Sequence, residues 1–558
     1  MTAIPAKFSE PTRRWFGEAF GSPTPAQEQA WEAISTGLHT LVVAPTGSGK
    51  TLAAFLWAID RLAAAKASSA QAPDRTHHDG KSPGAPPATR VVYVSPLKAL
   101  AVDIERNLNA PLAGIAEASV REGHEPPPVT VGVRSGDTTS SERRRLVRTP
   151  PDILITTPES LYLMLTSAAR QTLTAVETVI VDEVHSVAGT KRGAHLAVSL
   201  ERLDMQLDRP SRRIGLSATA RPHSEVARFL GGAADVHVVA PAQEKRWDLS
   251  VRVPVDDMTA PPPRGDGPSG VAAAGTDPAP VEAPSIWPHL ENEIADLIEQ
   301  HSSTIVFTNS RRLTERLTAR LNEIHADRSG LSVDREGRPP ALLGSPTEVA
   351  YAHPAADAAD AHPVSAPDKR PSQDAAREEA YEDALFARAH HGSVSKDRRA
   401  RIEDDLKNAR LRCVVATSSL ELGIDMGEVD LVIQVESPPS VASGLQRIGR
   451  SGHHVGDVSK GVLVPKHRAD LLHCAVTADR MRVGAIEALA VTSNPLDVLA
   501  QQTIAQTAAV DTLDVENWFE ALRRSAPFAS LPRSAFDATL DMISGRYPSD
   551  EFAELRPR

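Results

Sequence analysis

The chain has 558 residues, of which 41% are hydrophobic and only 4% aromatic, with a formal net charge of −11 and two cysteines. That length carries about three to four domains with sizeable aliphatic cores. No run of about 18 apolar residues is present to span a membrane, and the N-terminus lacks the apolar region of a secretory leader. Cys413 and Cys474 are too few for a disulfide framework or a four-ligand zinc site, so a reducing cytoplasm is expected. Net charge is silent on nucleic acid, because a basic groove can sit on an acidic surface.

Apolar runs of about five residues, rich in β-branched side chains, recur along the chain and read as parallel strands buried on both faces. They are 40–44, 90–94, 129–133, 152–156, 176–181 and 212–217, then 303–307, 411–416, 430–435 and 461–464. Helical stretches between them imply right-handed βαβ crossovers, hence an α/β class with two tandem domains, 1–240 and 241–490. The tail, 491–558, reads as helical through PLDVLAQQTIAQTAAV, VENWFEALRRS and SAFDATLDMIS. Three segments rich in Pro, Ala, Gly and charge, 66–89, 255–285 and 326–378, cannot bury enough surface to order themselves and read as disordered surface insertions.

The sharpest chemical signal is APTGSGKT, residues 44–51, between the strand LVVA and an apolar helix. That context makes it a phosphate-binding loop of Thr46, Gly47, Ser48, Gly49, Lys50 and Thr51. The glycines let backbone N–H groups turn towards phosphate, and the helix N-terminus adds its dipole. Lys50 would reach the β and γ phosphates of ATP, and the Thr51 hydroxyl would bind Mg²⁺. Ala44 stands where the strict pattern begins with glycine. The partner signal is VIVDEVH, 179–185, a strand ending in two carboxylates. Asp182 is placed to hold Mg²⁺, and Glu183 to orient and deprotonate the attacking water.

From these motifs onward the chain resembles the superfamily 2 helicases. FGSPTPAQEQAW (20–31) is similar to the adenine-sensing Q motif, with Gln27 reading the base; for Phe20, adenine stacking and core packing are equal readings. SPLKAL (95–100), RSGD (134–137) and TTPESL (156–161) resemble the loops that hold one strand by its sugar–phosphate backbone, through Ser95, Lys98, Gly136, Thr156 and Thr157. Thr156 or Thr157 is equally suited to cap the following helix. SAT (217–219) resembles motif III. In the second domain, IVFTNSRRLTERL (305–317) supplies Asn309 and AHHGSVSKDRRARIE (389–403) supplies His391, Gly392 and Ser393. VVATSSLELGIDMGEVDLVIQ (414–434) resembles motif V, with Thr417 on nucleic acid and Gly423 and Asp425 facing the nucleotide. QRIGRSGHH (446–454) resembles motif VI, with Arg450 as the arginine finger and Arg447 as a second candidate; His453 stands where many relatives carry another arginine.

The wording of these motifs, together with HSVAGTKRGAHLA and NPLDVLAQQ, resembles the large helicase-related family. That resemblance implies two RecA-like P-loop domains followed by a winged helix, here ending at Arg558 as an N-terminal portion. It implies an ATP- and Mg²⁺-dependent helicase, moving 3′ to 5′ on single-stranded DNA as a monomer. Its duplex partners would be DNA or RNA–DNA, with RNA–DNA favoured, in DNA repair. The rivals are a double-stranded DNA translocase, a nucleotide-gated clamp that does not travel, and a P-loop kinase or transporter ATPase.

Overall fold

The computed structural model describes residues 4–45, 47–71, 88–125, 128–218, 220–242, 245–262, 285–330, 385–421, 426–427, 429–452 and 457–546. Most of the three compositionally biased segments lies outside these residues, but the helix Lys50–Gln71 carries regular structure into the first of them.

The strands are β1 His39–Val43, β2 Val91–Val94, β3 Val131–Arg134, β4 Ile153–Thr156, β5 Thr178–Val181, β6 Arg212–Ser217 and β7 Val236–Val239. They are followed by β8 Arg246–Val251, β9 Thr304–Phe307, β10 Ala387–His390, β11 Cys413–Ala416, β12 Leu431–Val435 and β13 Val458–Val464. The first seven form one parallel sheet in the order β3-β4-β2-β5-β6-β1-β7. The remaining six form a second parallel sheet in the order β10-β11-β9-β12-β13-β8. This is the expected α/β pair of lobes. Side chains alternate along each strand, so each sheet feeds two cores, one on each face. Val42, Tyr93, Ile155 and Ile180 point to one side of the first sheet, and Leu41, Val92, Leu154 and Val179 to the other.

The C-terminal tail is helical, as expected, over Leu496–Thr507, Val515–Arg524 and Arg533–Ile543. It does not stand clear of the lobes. Ala194 and Val198, on the first-lobe helix Lys191–Asp204, share one hydrophobic cluster with Val498, Leu499, Trp518, Leu522 and Phe536. At the centre of this seam Arg202, only 3% exposed, donates to Gln506 Oε1 (2.8 Å), Gln502 Oε1 (2.9 Å) and Ala505 O (3.2 Å). Burial lowers its pKa to about 10, still far above neutrality, so the guanidinium stays charged.

Replacing Arg202 strands three buried acceptors. Arg202→Ala is expected to destabilise the chain by about 3 kcal/mol in urea unfolding. The solvent-exposed Lys191–Asp497 pair on the same seam is expected to contribute less than about 1 kcal/mol, read from Lys191→Ala. Equal losses would show that the seam is held by its apolar cluster alone.

Candidate active site and nucleic-acid interface

In an open parallel sheet, ligand sites form beyond the carboxyl ends of the strands. Here β1 runs into the glycine-rich loop, β5 into Asp182 and Glu183, and β6 ends on Ser217. Gly47 and Gly49 adopt φ of +80° and +77°, a region costly for residues with a Cβ. A Cβ on Gly49 would also lie 2.3 Å from Gln27 Nε2. Gln27 therefore sits against the loop, its amide bonded to Gly49 O (3.4 Å) and to Thr24 N (2.9 Å). Phe20 is 54% exposed and touches only the rings of Phe16 and Trp15 among the described aromatics, so it is not core. Thr46 lies outside the described residues. Ser48 is buried, with its hydroxyl on Pro45 O (2.7 Å), and Thr51 opens the first turn of the helix Lys50–Gln71.

Lys50 is 8% exposed and donates to Ala44 O (2.6 Å) and Pro45 O (2.8 Å), the backbone of its own loop. Burial lowers its pKa, while Glu183 and Asp182 act to keep the ammonium charged. Asp182 accepts from the Tyr93 hydroxyl and from Glu183 N (2.9 Å). Its pKa is raised by burial first and by the neighbouring Glu183 second. Burial also raises Glu183, against the pull of Lys50 and Arg450. Glu183 occupies left-handed backbone, φ 43°, and its buried Oε2 has no hydrogen-bond partner among the described residues, with His185 Nδ1 3.5 Å away. A strained residue with an orphan oxygen is what a site built for a further ligand leaves behind. The donor set fits Mg²⁺ on a nucleotide. That ion takes one or two protein oxygens and completes its octahedron with phosphate and water. No cluster of three His, Cys, Asp or Glu side chains suited to a metal occurs among the described residues.

The second lobe closes the cleft. Arg450 is 2% exposed, donates to Glu421 O (2.8 Å) and is electrostatically coupled to Lys50 and Glu183. Arg447 faces inward within its own lobe, bonding Glu421 Oε2 (3.0 Å), Gln434 Oε1 (2.9 Å) and Asn309 Oδ1 (3.0 Å). Gly423, Asp425 and His453 lie outside the described residues. The lobes meet through His185, whose Nε2 is 2.8 Å from the Gln446 amide. Its Nδ1 is 3.1 Å from Ser217 Oγ and accepts from Ala218 N (3.2 Å). One imidazole thus touches the segment after β6 and the segment that carries Arg450.

Among the residues expected to hold nucleic acid, Ser95 N donates to Thr156 O (2.8 Å) and Thr156 Oγ1 donates to Arg134 O (2.8 Å), both residues being fully buried. Thr157 caps the helix Pro158–Leu165 through Ser160 N (3.4 Å). Lys98 pairs with Asp137 (2.6 Å) over Gly136, whose missing Cβ leaves room for the ammonium. In the second lobe, Asn309 and Thr417 line one open cleft of about 390 Å³ with Arg447 and Ser440. His391 bonds Glu315, and Ser393 Oγ accepts from Arg311 (3.0 Å) beside Gly392.

Three contributors were not singled out by the sequence reading. Gln446 carries the interlobe contact. Lys245 lies on the crossing between lobes, donates to Gly449 O (3.0 Å), and has its pKa lowered to about 8, by burial first and Arg450 second. Glu487, on the exit from the second lobe, accepts from Val441 N (2.7 Å) and Ala442 N (3.2 Å), capping the helix Val441–Ile448 that bears Gln446 and Arg447. The next residues, Ala488 and Leu489, pair with Arg221 of the first lobe. Gln446 opens the segment 446–454 that resembles motif VI, but its partner does not show there; Lys245 and Glu487 lie in no motif, because their roles depend on where the chain crosses between lobes.

Burial lowers the His185 pKa to about 4, so the imidazole is neutral in the folded state. Between about pH 6.5 and 4 the unfolded chain takes up a proton there that the folded chain refuses. This contribution to stability is therefore complete above about pH 6.5 and lost as pH falls towards 4. Asp182 and Glu183, with raised values, act in the opposite sense, so a variant must isolate the histidine. His185→Gln is expected to lose less stability than the parent between pH 7 and 5, by up to about 2 kcal/mol in urea unfolding. Parallel curves would show that His185 is solvated in solution.

A DEAD/DEAH box helicase model matches residues 24–228, a helicase conserved C-terminal domain model matches 372–454, and the large helicase-related protein winged helix domain matches 479–557. The chain is 59% identical over 552 residues to the Lhr helicase/probable uracil glycosylase of Mycolicibacterium smegmatis, covering 99% of this chain and 33% of that protein. It is 52% identical to the Lhr helicase/uracil glycosylase of Escherichia coli, covering 100% of this chain and 33% of that one. Against ATP-dependent helicase Lhr-Core protein 2 of Thermococcus barophilus the figures are 35%, 97% and 53%. The structure of Mycobacterium smegmatis helicase Lhr bound to ssDNA and AMP-PNP superposes with a TM-score of 0.78 at 56% identity, over 99% of this chain and 59% of that one. The DUF1998 helicase MrfA bound to DNA shares the fold, with a TM-score of 0.62 at 19% identity. The chain thus spans about a third to a half of the length of these curated relatives. Its two parallel sheets, its paired motifs and its winged helix together place it in the large helicase-related family of DEAD/DEAH-box helicases.

Proposed function

We propose that this chain is an ATP-driven motor that translocates 3′ to 5′ along single-stranded DNA and unwinds the duplex ahead of it. RNA–DNA hybrids are its favoured duplex, DNA repair its role, and it acts as a monomer in the cytoplasm. Its working parts divide near residues 240 and 490. The observation that carries the reading is the convergence of Lys50, Asp182 and Glu183 from one lobe with Arg450 from the other, bridged by His185 and Gln446. A P-loop kinase does not need a second lobe bearing a buried arginine. The solved relative bound to ssDNA and AMP-PNP supports a cleft that serves nucleotide and strand together.

In this reading Gln27 holds the adenine, and the loop 46–49 with Lys50 holds the phosphates. Thr51 and Asp182 hold Mg²⁺, which neutralises charge on the phosphates when bound. Glu183 accepts the proton of the attacking water. Arg450 stabilises charge developing on the γ-phosphate, and its loss on hydrolysis reopens the cleft. Nucleotide and strand bias the same two arrangements of the lobes, which is the physical meaning of coupling.

The test is ATP hydrolysis with no nucleic acid, with single-stranded DNA and with duplex DNA. Single strands are expected to raise kcat at least tenfold. Glu183→Gln is expected to lower kcat by about 100-fold or more while retaining nucleotide affinity, whereas Lys50→Ala loses affinity. Equal rates in all three conditions would overturn the motor reading for this chain.

A further inference from the structure

The helix Ser140–Arg148 buries none of its residues. It rests on the edge strand β3, where Leu146 packs over Gly132; a Cβ there would lie 2.9 Å from the leucine. On the side turned away, Ser141, Arg144, Arg145 and Arg148 fall at i, i+3, i+4 and i+7, which is one helical face. All three arginines are exposed. Among the described residues, none of their guanidinium groups has a hydrogen bond or ion pair. The helix has one acidic residue, Glu142, and its carboxylate is tied to Thr139 N (2.9 Å) and Thr139 Oγ1 (2.8 Å) at the N-terminus.

Like charges at these spacings repel within a helix, which offsets what Arg145 and Arg148 contribute in its last turn. It is also an unneutralised cluster on a chain of net charge −11. Arg143, on the flank of the same helix, donates to Gly136 O (3.0 Å) and Ser135 O (3.4 Å). Arg143, which turns inward with Leu146, therefore ties the helix to the Gly136 loop beside Lys98 and leaves the arginine face outward of that loop. Guanidinium groups bind phosphate through paired donors and hold their charge at all relevant pH.

We infer that the Arg144–Arg145–Arg148 face is a second phosphate-binding tract, which holds nucleic-acid backbone beyond the strand gripped at the ends of β2, β3 and β4. This inference rests on the proposed motor function and adds a place for the flanking polynucleotide. An acidic peptide is the alternative occupant. Nucleic acid is favoured because the helix is anchored by Arg143 to the Gly136 loop, itself suited to a sugar–phosphate backbone, and because three unpaired guanidinium groups match a run of phosphates.

The test uses the full chain and a triple variant, Arg144→Ser, Arg145→Ser and Arg148→Ser, with a second triple variant to lysine. Binding of a fluorescent single strand of about 8 nucleotides, a 30-nucleotide strand and a tailed duplex is titrated over a salt series. For the serine variant, affinity for the two longer ligands is expected to fall roughly tenfold or more, and the slope of log affinity against log salt to shrink by about two units. The 8-nucleotide strand, the nucleotide analogue and the melting temperature are expected to behave as in the parent, and the lysine variant to keep the slope. An unchanged slope and affinity on the longer ligands overturns the tract while leaving the motor reading intact. A parent that binds no nucleic acid, while still binding nucleotide, overturns both. Displacement of the 30-nucleotide strand by polyglutamate as effectively as by unlabelled DNA of equal charge overturns the assignment to nucleic acid.

Discussion

The structure depends on the burial of opposite charges at the carboxyl ends of β1 and β5. Lys50, Asp182 and Glu183 are each less than a tenth exposed, and the buried Arg450 of the second lobe acts on Lys50 and Glu183 through its charge. Removing such groups from water is costly unless they face one another. In this state Lys50 donates to loop carbonyls and one nitrogen of Arg450 to Glu421 O, while one oxygen of Glu183 has no hydrogen-bond partner among the described residues. A polyanion carrying a divalent ion would replace all of these makeshift arrangements at once. The strained backbone at Glu183 and the positive φ of Gly47 and Gly49 are the local consequences of bringing charges and backbone so close.

All ten strands expected from the sequence occur, because continuous apolar runs are the signature of strands buried on both faces. The three that the sequence reading missed, β7, β8 and β10, are all sheet edges. An edge strand has one neighbour and its side chains follow weaker constraints. VHVV is half-exposed along β7, and β8 alternates Arg246, Asp248 and Ser250 with the apolar Trp247, Leu249 and Val251 in place of a continuous run. The same locality governs the site. Lys50, Asp182 and Glu183 announce themselves because a short loop and a strand end suffice to place them. Thr156 and Thr157 illustrate the opposite limit: adjacent threonines of one motif take different tasks, one bonding Arg134 O and the other capping a helix. Lys245, Gln446 and Glu487 gain their roles from the meeting of distant segments, which no window of sequence contains.

The tail shows how one helix can belong to two cores. Lys191–Asp204 packs Leu196, Leu200 and Leu203 into the first lobe and turns Ala194 and Val198 to the tail. Small side chains on the tail side let the helices approach, and Trp518 fills the gap from the other side, its indole N–H satisfied by Thr503 Oγ1 (3.0 Å). Arg202 then adds polar registry to a seam whose apolar cluster alone is compatible with several alignments.

That seam has a mechanical meaning. The chain leaves the second lobe, caps the helix of Gln446 and Arg447 with Glu487, pairs with Arg221 and only then enters the tail. The tail is thereby cargo of the first lobe, although it is strung from the second. A change in the arrangement of the lobes would be taken up at the two crossings of the chain, near Lys245 and near Glu487, and would carry the tail along with the first lobe.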